Sequence, residues 1–201
     1  MITACSNKRE LNSQYYCKKL KLNCIRENQK ITFKTSKGIF DVNLDAESHP
    51  LTVTNFLENI KNDVYTNQRF YKIINYPQIK IMHAGIFKEK NKFLEKNKLL
   101  IKKPISIPLE VGLKNKLEPK YKYQIKDPAE IGEIKNLFQK GSLAMVRSGE
   151  KISSSTEFFL VTNNIPELDG RYSNFGQVVR GFEVLEKINN KDLIYEIKIS
   201  N

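Results

Sequence analysis

The sequence predicts a mainly β domain, a closed or nearly closed antiparallel barrel with few helices. Three observations carry that expectation. Short apolar or alternating stretches recur at 31–44, 69–74, 79–82, 141–146, 157–161, 176–179 and 193–199, and period-two alternation between turn residues marks strands. Helical spacing of apolar residues occurs in only two places, so the chain lacks the regular strand-helix alternation of a parallel sheet. No internal repeat is visible, and 201 residues fit one domain, since single domains run to about 100–200 residues.

Each element has its own local reason. Ile31 to Thr35 and Ile39 to Leu44 alternate apolar and polar residues around Lys37-Gly38 and read as a β-hairpin. Val53, Phe56, Leu57 and Ile60 fall at helical spacing after His49-Pro50, which predicts a helix starting near Thr52. Strands follow at Arg69 to Ile74, Ile79 to Met82, Gly141 to Val146, Glu157 to Val161, Gly176 to Val179 and Leu193 to Ile199. Phe182, Val184, Leu185 and Ile188 support a second, short helix.

Forty per cent apolar residues suffice for a core despite 28% charged residues, which argues against a disordered chain. No apolar run approaches the roughly 20 residues of a bilayer span. The net charge of +12 is localised. Residues 1–30 hold 7 basic and 2 acidic groups, residues 80–126 hold 13 lysines against 4 glutamates, and the remainder nets −2. That pattern divides the chain into a basic N-terminal arm, 1–29, and a domain, 30–201, with a lysine-rich insert at about 87–140. The lysine-rich stretch from Phe87 to Lys103 has no arginine and no ladder of stacking aromatics, so nucleic-acid binding is the minor reading and a solvated surface the major one.

All three cysteines, Cys5, Cys17 and Cys24, lie in the arm, and His49 and His83 are the only histidines, so no zinc-site spacing exists. A Cys17–Cys24 bridge and two free thiols are equally compatible with the sequence. Ile2-Thr3-Ala4-Cys5 resembles a bacterial lipoprotein cleavage box. If Cys5 is lipidated, the true start lies upstream of Met1, the protein is periplasmic or lumenal, and the lipid is its membrane contact. If the match is accidental, the chain is cytoplasmic. Nothing in the sequence fixes an oligomeric state.

Across about residues 30–199, seven motifs stand in the order and spacing of the cyclophilins: Thr52-Val-Thr-Asn-Phe56, Phe70-Tyr-Lys-Ile-Ile74, Ile105 to Glu110, Gly141-Ser-Leu-Ala-Met145, Phe158-Phe159, Leu168-Asp-Gly170 and Phe175-Gly-Gln-Val-Val179. The chain therefore resembles a cyclophilin-type peptidyl-prolyl cis-trans isomerase, in particular the bacterial and cyanobacterial form with a long insert. The resemblance implies a closed eight-stranded antiparallel barrel capped by two helices, a proline-containing peptide as ligand, and no cofactor or metal.

The resemblance also assigns a site. In this family an arginine donates towards the prolyl nitrogen, weakening the amide resonance behind a rotation barrier of roughly 18–20 kcal/mol. Its place here is taken by Lys72, a charge without the planar donor fork. Phe159 matches the floor of the proline pocket, Leu168 and Ile81 its apolar walls, and Phe70 opens the motif that carries Lys72. His83 stands for a glutamine, Glu157 for another, Tyr172 for a histidine, and Val146 and Arg147 lie on the strand that binds substrate backbone. Lys80 replaces an apolar wall and Glu167 a common tryptophan. The readings that result are an isomerase of reduced activity, with Lys72 as its catalytic residue, and a cyclophilin-fold module that binds proline segments or a partner protein without turnover.

Overall fold

The computed structural model describes residues 12–86 and 106–200. The Cys5 box and the lysine run of the insert up to Ile105 lie outside the described residues. In chain order the elements are α1 (Ser13–Lys19), β1 (Gln29–Thr35), β2 (Gly38–Leu44), α2 (Pro50–Lys61), β3 (Gln68–Arg69), β4 (Lys72–Tyr76), β5 (Ile79–Ala84) and β6 (Ser106–Pro108). There follow β7 (Glu110–Val111), β8 (Lys120–Tyr121), α3 (Pro128–Ile131), β9 (Ser142–Gly149), β10 (Ile152–Val161), β11 (Asn174–Arg180), α4 (Phe182–Lys187) and β12 (Leu193–Ser200).

One antiparallel sheet runs β3-β12-β1-β2-β11-β9-β10-β5-β4, with β6 added to β10. Its two ends, β3 and β4, are separated in the chain only by Phe70 and Tyr71. The Phe70 N–H donates to the Asp192 carbonyl at 2.9 Å, and the Tyr71 N–H donates to the His83 carbonyl at 3.0 Å. The run 68–76 thus serves both edges of a strongly curled sheet, one with each half. Counted as one strand it leaves eight strands along the main path, with β6 a ninth beside β10.

Alternation decides which side chains fill the interior. Ile31, Phe33, Phe40, Val42, Met82, Leu143, Met145, Phe158 and Leu160 point inward and are fully buried. Val53, Phe56 and Leu57 of α2 and Val184 and Leu185 of α4 complete this core, so both expected helices pack on it. Phe56 meets Phe158 edge-on at 5.4 Å and Phe33 stacks on Phe40 at 4.5 Å. Burying each such side chain stabilises the fold by about 1.5–3 kcal/mol. Helix α2 starts at Pro50, two residues earlier than its apolar spacing indicates, because proline suits the first helical position.

The N-terminus of α2 is capped from a distance. Glu110, with no exposed surface, accepts from the Leu51 N–H at 3.2 Å and the Thr52 N–H at 2.8 Å, and the Tyr121 hydroxyl donates to it at 2.7 Å. Burial pushes the Glu110 carboxyl up from its ordinary value, against the pull of these donors. From Ser106 on, the insert has a small core of its own in Leu109, Val111, Leu113, Ile125 and Ile134.

From Asn12 onward the arm packs against the domain. Cys17 and Cys24 are bridged. Tyr16, Cys17 and Leu22 bury against Leu51, and the Tyr16 ring lies 4.6 Å from that of Tyr121 in the insert. Ser13 Oγ donates to Glu118 at 2.7 Å, and Arg26 pairs with the same carboxylate. Arm, insert and the start of α2 therefore hold one another.

His49 sits at that junction, 2% exposed, its Nε2 accepting from the Gly112 N–H at 3.3 Å and its Nδ1 without a partner. A side chain at Gly112 would come within 2.6 Å of Ser48 Cβ, so glycine permits this approach. Burial pushes the His49 imidazole down to about 4, Lys135 adding to the shift and Asp45 opposing it. The unfolded chain takes up the proton near pH 6.5 and the folded chain only near 4. Stability is thus complete above pH 6.5 and falls through the window to pH 4, by about 3 kcal/mol for this group. Urea midpoints at pH 7.5 and 4.5 check this: the wild type is expected to lose more than His49→Gln, and equal losses contradict the assignment.

Candidate functional site

Strands β4, β5, β10 and β9 lie side by side, and their register sets Lys72 opposite His83, His83 opposite Phe159, and Phe159 opposite Ala144. Directly opposed residues share a face of the sheet. Lys72, His83 and Phe159 therefore project outward, on the reverse of the face whose Met82, Leu160 and Leu143 oppose one another and fill the barrel.

Phe159 is the centre of an outer cluster with Phe138, Ala144, Val161 and Ile165, against which Ile81, Val146, Leu168 and Tyr172 pack. The His83 ring stacks on Phe159 at 5.5 Å and 24°, Phe138 lies parallel to it at 5.9 Å, and Tyr172 meets it edge-on at 5.2 Å. Phe159 keeps 2% of its surface exposed. The apolar floor is in place, and the rings packed around it leave almost none of it bare.

On one side of this stack Tyr71 meets the His83 ring at 6.1 Å and donates its hydroxyl to Glu157 at 2.8 Å. On the other, the Arg147 guanidinium carbon lies 5.1 Å from the Tyr172 ring centroid. The sequence-derived residues Lys72, Ile81, His83, Val146, Arg147, Glu157, Phe159, Leu168 and Tyr172 thus form one continuous outer patch. Phe70 does not join them: it is fully buried in the barrel core and supports the strand from inside.

Lys80 also departs from expectation. It is one position out of phase with Ile81 and His83, and its Nζ donates to the Glu186 carbonyl of α4 at 2.8 Å, so it is no wall of the apolar site. Ile79 and Ile81 pack against the cluster instead. Glu167 stands exposed in the helical turn Pro166–Leu168.

Beside the stack opens a groove of about 540 Å³, lined by His83, Val146, Arg147 and Tyr172, by Gly149 and Glu150 at the β9–β10 turn, and by Gln124 and Lys126 of the insert. Sequence reasoning missed Gln124, Lys126 and Phe138. The ring partner of Phe138 lies 21 residues further on, and no local periodicity signals that contact. A larger groove, about 610 Å³, lies away from the patch, and its amides are largely engaged with each other, as Asn174 is with the Asn136 carbonyl.

Burial, with the adjacent Lys72 charge adding to it, pushes the His83 imidazole down to about 4. Burial pushes the Tyr71 phenol up, reinforced by the Glu157 carboxylate. His83 is therefore neutral at pH 7, able to accept or donate one hydrogen bond without adding charge beside Lys72. An NMR titration is expected to show no change in its ring between pH 5.5 and 9; a midpoint near 6.5 contradicts this environment. Among the described residues no group of three acidic, histidine or cysteine side chains could hold a metal, and no helix is long and apolar enough to cross a membrane.

A strongly curled antiparallel sheet with two helices on its core and an aromatic patch on its outer face defines a mainly β, barrel-like class of protein. Residues 30–200 match the family described as "Cyclophilin type peptidyl-prolyl cis-trans isomerase/CLD". Peptidyl-prolyl cis-trans isomerase A of Dickeya dadantii is 26% identical, covering 79% of this chain and 70% of its own. Peptidyl-prolyl cis-trans isomerase B of Escherichia coli is 28% identical, covering 79% and 82%. Among solved structures, a Cryptosporidium parvum cyclophilin-type isomerase superposes with a TM-score of 0.61 at 18% identity, over 87% of this chain and 99% of that one. A second structure of that protein, determined in the presence of the dipeptide Ala-Pro, gives 0.60. The chain belongs to the cyclophilin-type peptidyl-prolyl cis-trans isomerase family.

Proposed function

We propose that this chain catalyses cis-trans isomerisation of X-Pro bonds in proline-containing protein segments, at a reduced rate, with Lys72 as the catalytic residue. The observation that carries the reading is the register row Lys72–His83–Phe159, which sets a cationic donor two strands from an aromatic floor on one outward face. A proline ring seated over Phe159 places its amide towards Lys72. The Nζ donates towards the prolyl nitrogen, favours the twisted amide, and so lowers the barrier without any covalent intermediate. The rate is reduced for two reasons. An ammonium on a flexible stem is aimed less well than an arginine fork, and the rings of His83 and Tyr172 must give way before a proline reaches Phe159. A protease-coupled proline-peptide assay tests the reading: a rate above background is expected from the wild type and is expected to fall in Lys72→Ala. Background rate in the wild type overturns it.

The near-complete covering of Phe159 favours one alternative, a binding module that holds proline segments or a partner protein without turnover. It predicts measurable peptide binding with no catalysed exchange. The bridged Cys17–Cys24 supports placement in an oxidising compartment, in keeping with the cleavage-box resemblance at Cys5.

A further inference from the structure

The groove beside Phe159 has a charge pattern that bears on which proline segments enter it. Arg147 borders the groove with its guanidinium over the Tyr172 ring, 5.1 Å from the centroid. Among the described residues its guanidinium makes one hydrogen bond, a long one, 3.5 Å from Nη1 to the Arg171 carbonyl. Most of its five N–H donors are therefore uncommitted, while stacking limits the orientations of the plane. Lys126 and Glu150 also line the groove, 3.8 Å apart in a pair that is largely exposed on both sides, so the attraction is weak. Gln124 Nε2 donates to the Glu150 carbonyl at 2.6 Å and ties the insert wall to the β9–β10 turn.

Lys72 adds a third positive charge on the same face, and His83 between them is neutral. Two acids are near. Glu150 lies within reach of Lys126, and Glu157, two positions from Phe159 on β10, accepts the Tyr71 hydroxyl. The balance leaves Arg147 as a pre-oriented, weakly engaged guanidinium on an open wall. A planar fork of this kind pairs with a carboxylate through two parallel hydrogen bonds.

We infer that the groove selects X-Pro segments carrying an acidic residue within two positions of the proline, with Arg147 as the specificity-determining residue and Lys126 of the insert strengthening the field. The inference rests on the proline-binding reading of the patch. It gives the insert a role: its 124–126 segment supplies one wall and one charge of the site.

The test measures binding, by NMR titration at low salt, of two peptide pairs in which glutamate either precedes or follows the Ala-Pro unit, each against its glutamine isostere. One pair is expected to favour glutamate by about fivefold, below the tenfold-or-more of a fully buried charge-assisted fork. Arg147→Gln is expected to bring that ratio below about twofold, Arg147→Lys to leave it intermediate, and 0.5 M salt to shrink it in the wild type. Equal affinity for glutamate and glutamine in both pairs, with proline binding intact, overturns the selectivity and leaves the proline reading standing. An unchanged ratio in Arg147→Gln, or equal binding of a proline-free acidic peptide, also overturns it. Binding of none of the peptides overturns both readings.

Discussion

Glu110→Ala is expected to lower the unfolding free energy by about 3–5 kcal/mol, because each buried donor left without an acceptor costs about 1–3 kcal/mol. Two donors, the Leu51 and Thr52 N–H groups, lose their partner together, and the Tyr121 hydroxyl is left with Ser13 Oγ at 2.8 Å. His49, the residue at the N-cap, offers no side-chain bond in exchange, so the positive end of α2 stays uncompensated. The damage reaches further than the carboxylate, since α2 brings Val53, Phe56 and Leu57 to the barrel core. Glu110→Gln keeps one acceptor oxygen and is expected to lose less. Tyr121→Phe removes one donor and is expected to lose about 1 kcal/mol. Equilibrium urea unfolding measures all three; a loss below about 1 kcal/mol for Glu110→Ala contradicts the capping role.

Lys72→Arg is expected to raise kcat/KM on a proline peptide by about tenfold. One well-aimed donor to a transition state is worth about 10²–10³ in rate, and a lysine already supplies part of that through its charge. The gain comes from aim: the guanidinium plane presents fixed, paired N–H groups where the ammonium rotates freely. Lys72 is exposed at the edge of the patch, so the longer side chain meets no packed neighbour. Peptide affinity is expected to change little. A rate that stays at background with binding intact assigns the site to the binding-module reading.

Much of the barrel is legible locally. The hairpin across Gly38, the apolar stripe of α2 and the alternation of Phe158 and Phe159 are properties of adjacent residues, and strand and helix periods read them directly. The functional row is legible only through the resemblance, because Lys72, His83 and Phe159 come from three strands and meet by register. Lys80 misleads for a local reason: strand phase places it beside Met82 on the inward side, and its long stem carries the charge to α4. Phe70 misleads because a motif can be retained for packing as well as for contact.

Other features depend on contacts that no short window contains. Glu110 caps a helix 59 positions back in the chain, and Phe138 stacks on a ring 21 positions ahead. The short helices α1 and α3 did carry signals, in Asn12 and in Asp127-Pro128, whose side chains accept from the Tyr15 and Ala129 N–H groups. Their lengths, 7 and 4 residues, leave too few apolar positions for a period to stand out.

The central claim is that Lys72, beside His83 and Phe159, speeds rotation about an X-Pro bond. Two-dimensional NMR exchange on a proline peptide tests it most directly, because one experiment reports both binding and cis-trans interconversion. Uncatalysed interconversion takes tens of seconds or more at 25 °C. The wild-type protein at substoichiometric concentration is expected to produce cis-trans exchange cross-peaks on the sub-second to second timescale, and Lys72→Ala is expected to remove them while the peptide still binds. Exchange that remains at the uncatalysed rate in the wild type, or that persists undiminished in Lys72→Ala, contradicts the account.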